Sequence, residues 1–346
     1  MLETKRNLRG RPAKSGQPAE KPEFGSLFVG AEYHTDLGGL FKGKFEEVVA
    51  QPNFDLLRGK VQLIFTSPPF ALNNKKKYDN KQGDEYKQWL AGYAKLFRDL
   101  LAEDGSLVIE LGNAWEPNQP VMSTLALEAL LELKKAGDFF LCQQFVINNP
   151  ARLPSPAQWV TIKRKRVTDS FTHIWWLSKT PDPKADNRKI LRPYSKSMRK
   201  LLERGSYNDG RRPSEHSISK TSFLTDHGGA IPHNAIKFDD DHSMAQSLFE
   251  FGIGSSEEIQ DAIAWLFGMS SFAEFSNTIS VEPYIRYCKE HHIPLHPARM
   301  HIGVPSFFIK FLTDPGDIIL DPFGGSNTTG AAAEALQRRW VSFEPM

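Results

Sequence analysis

Apolar residues in this chain keep to two periods. Val61-Gln62-Leu63-Ile64-Phe65 and Asp317-Ile318-Ile319-Leu320 are short, almost unbroken apolar runs, the pattern of strands covered on both faces. Ser106 to Leu111, Thr172 to Ser178, Arg339 to Glu344 and Ser26 to Gly30 read as further strands. Elsewhere the spacing is helical. Trp89, Leu90, Tyr93, Leu96, Phe97, Leu100 and Leu101 predict one helix from about Asp84 to Leu101, with that stripe facing the core. Others are predicted from about Val121 to Lys135, over Ser306 to Leu312 and from Ala331 to Arg339. Strands alternating with helices of this length predict an α/β fold with helices on both faces of the sheet.

Two of the predicted strands end in unusual loops. The first delivers TSPPF, Thr66 to Phe70, and the second DPFGGSNTTG, Asp321 to Gly330. In open α/β sheets, ligands bind at the carboxyl edge, where such loops emerge. Pro68 and Pro69 have fixed φ and no N–H, so they make a stiff exit whose carbonyls are held in place. Taken alone, a proline-rich exit without chemistry is a real alternative, and the second loop weighs against it. Gly324 and Gly325, at a strand-to-helix turn, allow a backbone to approach a ligand closely. The fingerprint GxGxxG of a dinucleotide-binding dehydrogenase is absent.

Together the two loops resemble S-adenosylmethionine-dependent DNA amino-methyltransferases with permuted motif order. The catalytic loop precedes the cofactor loop, as in the β group, and SPPF is similar to the N4-cytosine branch. The resemblance implies a class I, Rossmann-like α/β fold with a mixed seven-stranded sheet, helices on both faces and an inserted target-recognition region. It implies S-adenosyl-L-methionine as cofactor, double-stranded DNA as substrate and a restriction endonuclease acting on the same site as a partner. The Ser67 hydroxyl and a backbone carbonyl of Pro68 or Pro69 would accept the amino hydrogens of an extruded cytosine, and Phe70 would stack on the base. Glu110, at the end of another strand, is either a relay to Ser67 or a structural acid. On the cofactor side the resemblance implies Asp321 at the methionine ammonium and Phe323, Gly324, Gly325, Ser326, Asn327 and Thr328 around it. Glu344 would take the ribose hydroxyls, and Ser306, Phe307 and Gly30 complete the implied set. GGSNTTG carries Asn327 where the commoner family pattern has a glycine, and Gly30 is followed by Ala31-Glu32 rather than aspartate.

Charge sharpens this picture. The 346 residues sum to only +2, yet residues 151–212 hold 16 Lys and Arg against 5 Asp and Glu. Residues 1–24 hold 6 basic against 3 acidic, in a polar, proline-containing stretch predicted to be a disordered tail with Arg9-Gly10-Arg11-Pro12 resembling an AT-hook. Clustered basic charge is the footprint of phosphate contacts, and a solvated face is the alternative. Lys163, Arg164, Lys165 and Arg166 are candidate phosphate ligands, and Arg211 and Arg212 candidate guanine readers. Residues 25–180 and 277–346 are read as two halves of one catalytic domain. Residues 181–276 are read as the recognition region, with an acidic segment from Asp239 that has no assigned role.

Composition narrows the rest. No apolar run is long enough to span a bilayer and no signal peptide is evident. Two cysteines fit a reducing cytoplasm, and neither follows a proline, which excludes the nucleophile of C5-cytosine methylation. His291, His292, His296 and His301 lack cysteine partners and a closed zinc spacing, so no metal is predicted. N6-adenine methylation, and a non-catalytic DNA-binding protein that keeps the fold, stand as alternatives.

Overall fold

The computed structural model describes residues 24–70, 81–148, 153–211, 213–215, 217–237 and 300–345. The tail, the lysine loop at 73–78, the acidic segment, Arg212 and residues 283–299 with three of the four histidines lie outside the described residues.

One nine-stranded sheet dominates. In chain order its strands are β1 (Tyr33–His34), β2 (Gly38–Lys42), β3 (Val61–Thr66), β4 (Leu101–Leu111), β5 (Phe140–Asn148), β6 (Phe171–Ser178) and β9 (Ala235–Lys237), then β10 (Ile318–Asp321) and β11 (Arg339–Glu344). A separate ribbon pairs β7 (Gly210–Arg211) with β8 (Ser217–Ile218). The order across the large sheet is β1-β2-β11-β10-β3-β4-β6-β5-β9. Strands β2, β11, β10, β3 and β4 run parallel, and β6 lies antiparallel between β4 and β5. The expected seven strands are the interior of this sheet. Two- and three-residue edge strands, β1 and β9, extend it to nine, too short to announce themselves as apolar runs.

The helices are α1 (Phe45–Val48), α2 (Gly83–Gly92), α3 (Ala94–Leu100), α4 (Leu125–Ala136), α5 (Lys196–Arg204), α6 (Gly303–Leu312) and α7 (Thr328–Ala335). Alternation along each strand sends side chains to two cores. Ile64, Leu107, Ile109, Ile318, Leu320, Val341 and Phe343 join the core beneath α2, α3 and α4. Leu63, Phe65, Val108, Ile319 and Trp340 join the core beneath α6 and α7. Burial on both faces explains why β3 and β10 read as unbroken apolar runs.

Several boundaries differ from expectation. Ser26 to Gly30 is a 3-10 turn from Phe24 to Phe28, not a strand, and Gly30 follows it at φ 87°. The predicted long helix breaks at Gly92-Tyr93, where the weak helix former Gly92 sits, and stops before Leu101, which pairs with Val61. Helix α4 starts late because Met122 bridges Trp115 and the Ser123 N–H bonds Ala114. Helix α7 starts early, at Thr328, and ends before Gln337, which has φ 58°.

Gly38 shows how tightly the edge packs. A Cβ there would sit 2.3 Å from the ring of Trp340. That ring is 1% exposed and its Nε1–H donates to Glu334 at 2.6 Å, so it is not free to swing away. Gly38→Ala should destabilise the protein by about 1–3 kcal/mol through overpacking. Thermal unfolding measures this, and an unchanged midpoint would mean that Trp340 repacks without cost.

Candidate active site at the carboxyl edge

Strands β3 and β10 lie side by side at the point where the sheet order reverses. From β10 the chain proceeds outward to β11, and from β3 it proceeds outward to β4 on the other side. Such a reversal opens a crevice beyond the strand ends. Both unusual loops leave the sheet here.

Asp321, the last residue of β10, is 4% exposed, and three donors converge on its carboxylate. Oδ1 accepts from the Thr66 hydroxyl at 3.0 Å and the Phe323 N–H at 3.1 Å, and Oδ2 accepts from the Thr329 hydroxyl at 2.6 Å. Burial, aided by nearby Glu344, pushes the Asp321 carboxyl up to about 6, against the opposing pull of Thr329, Phe323 and Thr66. Thr66 and Thr329 lie within the two sequence motifs, which by themselves assign them no role. Their signal is faint, because a hydroxyl at a strand exit reads as an ordinary polar boundary.

The glycine-rich loop has a distinct reason at each position. Gly324 donates to the Phe343 carbonyl at 2.7 Å, and a Cβ on it would lie 3.2 Å from Ser342, so its small size serves packing against β11. Gly325 adopts φ 54° and its N–H donates to Glu344 at 2.8 Å. Asn327 adopts φ 57°, the left-handed region that asparagine tolerates better than other side chains. This is how Asn327 stands where the commoner pattern has glycine. Its side chain lies over Gly330, where a Cβ would meet Oδ1 at 2.3 Å. Ser326 and Thr328 share a hydrogen bond at 3.0 Å. Phe323 packs its ring against Trp89 of α2 and Tyr93, with centroids 5.5 and 5.6 Å away.

The proline loop continues from β3. Ser67, Pro69 and Phe70 are half-buried and Pro68 is buried. A Cβ on Gly112 would come within 2.6 Å of the Phe70 ring, so Gly112, just past β4, makes the seat for that ring. In the β3–β4 register Thr66 faces Ile109, which puts half-buried Glu110 one residue further along the same edge. Ser306 is fully buried in α6. Phe307 packs with Phe145 and Phe311, at 6.0 and 6.2 Å. Gly30 lies in the turn before β1, on the far side of β11 from the proline loop.

The donor set fits an adenosyl sulfonium cofactor with an amino-acid tail. A buried carboxylate ends one strand, a second carboxylate tips its neighbour, and a glycine-rich turn joins them. The Ser306 Oγ and Asn327 Oδ1 atoms are buried without a partner among the described residues.

The basic segment divides into separate roles. Lys163, Arg164 and Lys165 are exposed, with the Lys163 ammonium 4.7 Å from the Trp159 ring centroid. Arg166 is half-buried. Its guanidinium lies 3.4 Å over the Trp115 ring and donates to the Pro120 carbonyl at 3.0 Å. It therefore clasps the loop that follows Gly112. Arg211 is exposed and pairs with Glu215 at 3.3 Å. His301 accepts from the Gly303 N–H on Nδ1 at 3.0 Å, and burial holds its ring neutral. No cluster of potential metal ligands occurs among the described residues, and no helix there is long and apolar enough to cross a membrane.

A carboxyl raised in the folded state holds its proton more tightly there than in the unfolded chain. Its contribution to stability is complete below about pH 4 and is lost as pH rises through about 6. Asp321→Asn carries no charge to desolvate. The parent's stability relative to that variant should therefore decline by about 2–3 kcal/mol between about pH 4 and pH 7. Denaturant unfolding of both proteins across that range measures the gap, and a constant gap would mean that the carboxyl titrates at its ordinary value.

Comparisons with known proteins bear on the family and the fold. The DNA methylase family model, for N6 and N4 methyltransferases, matches residues 61–346. The type II methyltransferase M.PvuII of Proteus hauseri is 38% identical over 286 residues, covering 82% of this chain and 74% of its own. The solved PvuII DNA methyltransferase (cytosine-N4-specific) superposes with a TM-score of 0.63 at 30% identity, covering 91% of this chain and 84% of that one. The DNA adenine methyltransferase YhdJ of Escherichia coli K12 is 39% identical over only 62 residues, 18% of this chain and 21% of its own.

Proposed function

The chain belongs to the DNA methylase family, and from that premise we propose that it transfers a methyl group from S-adenosyl-L-methionine to the N4 amino group of a cytosine extruded from double-stranded DNA. The observation that carries the reading is the meeting of TSPPF and DPFGGSNTTG at one switch point, joined by the Thr66–Asp321 hydrogen bond. Cytosine is favoured over adenine because the cytosine-N4-specific likeness runs nearly the whole chain, whereas the adenine-enzyme likeness spans 62 residues. The loop also presents a serine hydroxyl, at Ser67. We further propose a restriction-modification role with a cognate endonuclease, in a bacterial cytoplasm, supported by the type II naming of its bacterial relatives.

The residues then divide the work. Asp321 would hold the ammonium of the cofactor's methionine, and Glu344, already fixed by the Gly325 N–H, would hold the ribose hydroxyls. When bound, the cofactor supplies an electrophilic methyl on a sulfonium. A cytosine amino nitrogen is a weak nucleophile because its lone pair is delocalised into the ring. Ser67 and a proline-loop carbonyl would accept its two hydrogens, drawing the nitrogen towards tetrahedral geometry and freeing the lone pair. Phe70, seated on Gly112, would stack against the base and offset part of the unstacking cost of roughly a few kcal/mol. Glu110, at the adjacent strand end, would take up the proton that leaves the nitrogen, directly or through Ser67. Ser306 and Phe307 lie on helix α6, where Ser306 is fully buried and Phe307 packs against Phe145 of β5 and Phe311, so among the described residues no direct contact with the cofactor loop supports them as cofactor ligands.

Ser67→Ala should leave cofactor and DNA binding largely intact while single-turnover methyl transfer falls by roughly two to three orders of magnitude. An unchanged rate would remove Ser67 from the mechanism. Product analysis of the methylated duplex decides the base, since N6-methyladenine would select the adenine reading.

DNA affinity should fall steeply with salt. Replacing Lys163, Arg164 and Lys165 with alanine should lower the slope of log affinity against log salt by up to about 0.9 per lost phosphate contact, equally on all sequences. Arg211→Ala should instead cost about 1–3 kcal/mol on the cognate site alone if it reads a guanine, and Arg212 is tested in the same way. Binding isotherms on cognate and scrambled duplexes separate the two patterns. A flat salt dependence in the parent would make the basic segment a solvated face.

A further inference from the structure

We infer that Thr66 is a positioning residue that couples the charge of Asp321 in the cofactor site to the pose of Ser67 in the catalytic loop. The inference rests on the proposed reaction and adds a residue to it. Thr66 is fully buried, ends β3, and is bonded directly to Ser67. Its hydroxyl donates to Asp321 Oδ1 at 3.0 Å across 255 residues of sequence. The other two donors to that carboxylate, the Phe323 N–H and the Thr329 hydroxyl, belong to the cofactor loop and helix α7. Thr66 is thus the one donor among these three that comes from the catalytic strand.

The chemistry of the acceptor gives this link two states. An ionised carboxylate accepts from all three donors, and hydrogen bonds to a charged group are about twice as strong as neutral ones. A protonated carboxyl has one oxygen converted to a donor, which weakens its hold on the surrounding hydroxyls. Burial places Asp321 near the balance between these states, with its carboxyl raised to about 6, and Glu344 on β11 is the neighbouring acid that pushes it further. An ammonium ligand arriving at Asp321 favours the ionised state. The ionised state pulls Thr66 towards β10 and so fixes the strand end from which Ser67 projects. The proline loop beyond is stiff, so an error at Thr66 is carried to Ser67 rather than absorbed. A displacement of the order of an ångström at a reacting group costs up to about a hundredfold in rate.

Thr66→Val keeps the β-branched shape and removes the hydroxyl. With the full chain, kcat for methylation of a cognate duplex should fall about ten- to a hundredfold while KM for DNA stays at the parent value. The Asp321 carboxyl loses a donor that favours its charge. The acid limb of the pH profile of kcat/KM for S-adenosylmethionine should therefore move to higher pH. Thr66→Ser, which restores a hydroxyl, should recover both. Ser67→Ala should lower the rate without moving that acid limb, a contrast that a general loss of structure does not produce. If Thr66→Val folds poorly by circular dichroism, Thr66→Ala with the same serine comparison carries the test. A parent-like kcat and an unmoved acid limb in the valine or alanine variant would overturn the coupling while leaving the proposed reaction intact. A parent protein that methylates no duplex would instead overturn the reaction on which it rests.

Discussion

A carboxylate removed from water must be fully solvated by the protein, and Asp321 imposes that constraint on everything around it. Its three donors come from a strand end, a loop N–H and a helix hydroxyl, and each has only one place to stand. Losing any of them leaves a buried acceptor short of a partner, a cost on the order of 1–3 kcal/mol or more for a charged group. The chain is thereby compelled to bring residue 66 beside residue 321. The closure that this requires is less costly than it looks, because loop entropy grows only with the logarithm of length.

Sheet burial does the rest of the alignment. Both faces of β3 and β10 are covered, so a slip of one residue would exchange every side chain between the two cores. Ile318 and Leu320 face one core and Ile319 the other, which fixes the register that places Asp321 at the edge. The order of motifs along the chain is then irrelevant to the site. What matters is that β3 and β10 are neighbours and that both end at the same crevice.

This explains what could be read from sequence. The doubly buried strands announce themselves as apolar runs, and their exits, TSPPF and DPFGGSNTTG, stand out by paired prolines and paired glycines just after a strand. Strand β2 was illegible because two of its five residues are glycines cut to fit Trp340 and Phe28, with no apolar alternation to betray them. Strand β5 was missed because it is half exposed and its alternation is interrupted at Cys142 by a register shift. The roles of Thr66 and Thr329 depend on a partner distant in sequence or on a different turn of the motif, and hydroxyl groups carry no periodic signal. Asn327 was visible as a departure from pattern, but its reason is a backbone angle, which composition does not encode.

The same distinction separates the charges. Four consecutive basic residues look equivalent in the sequence, yet Arg166 spends its guanidinium on Trp115 and the Pro120 carbonyl while Lys163, Arg164 and Lys165 stay exposed. Arginine suits the clasp because its planar cation lies on an aromatic face and still projects N–H donors sideways in its own plane, which lysine does not do. The clasp pins the loop that begins at Gly112, and Gly112 seats Phe70. One member of a basic run thus supports the edge that carries Phe70, while the other three stay exposed, so local charge density alone does not tell a structural cation from a solvated one.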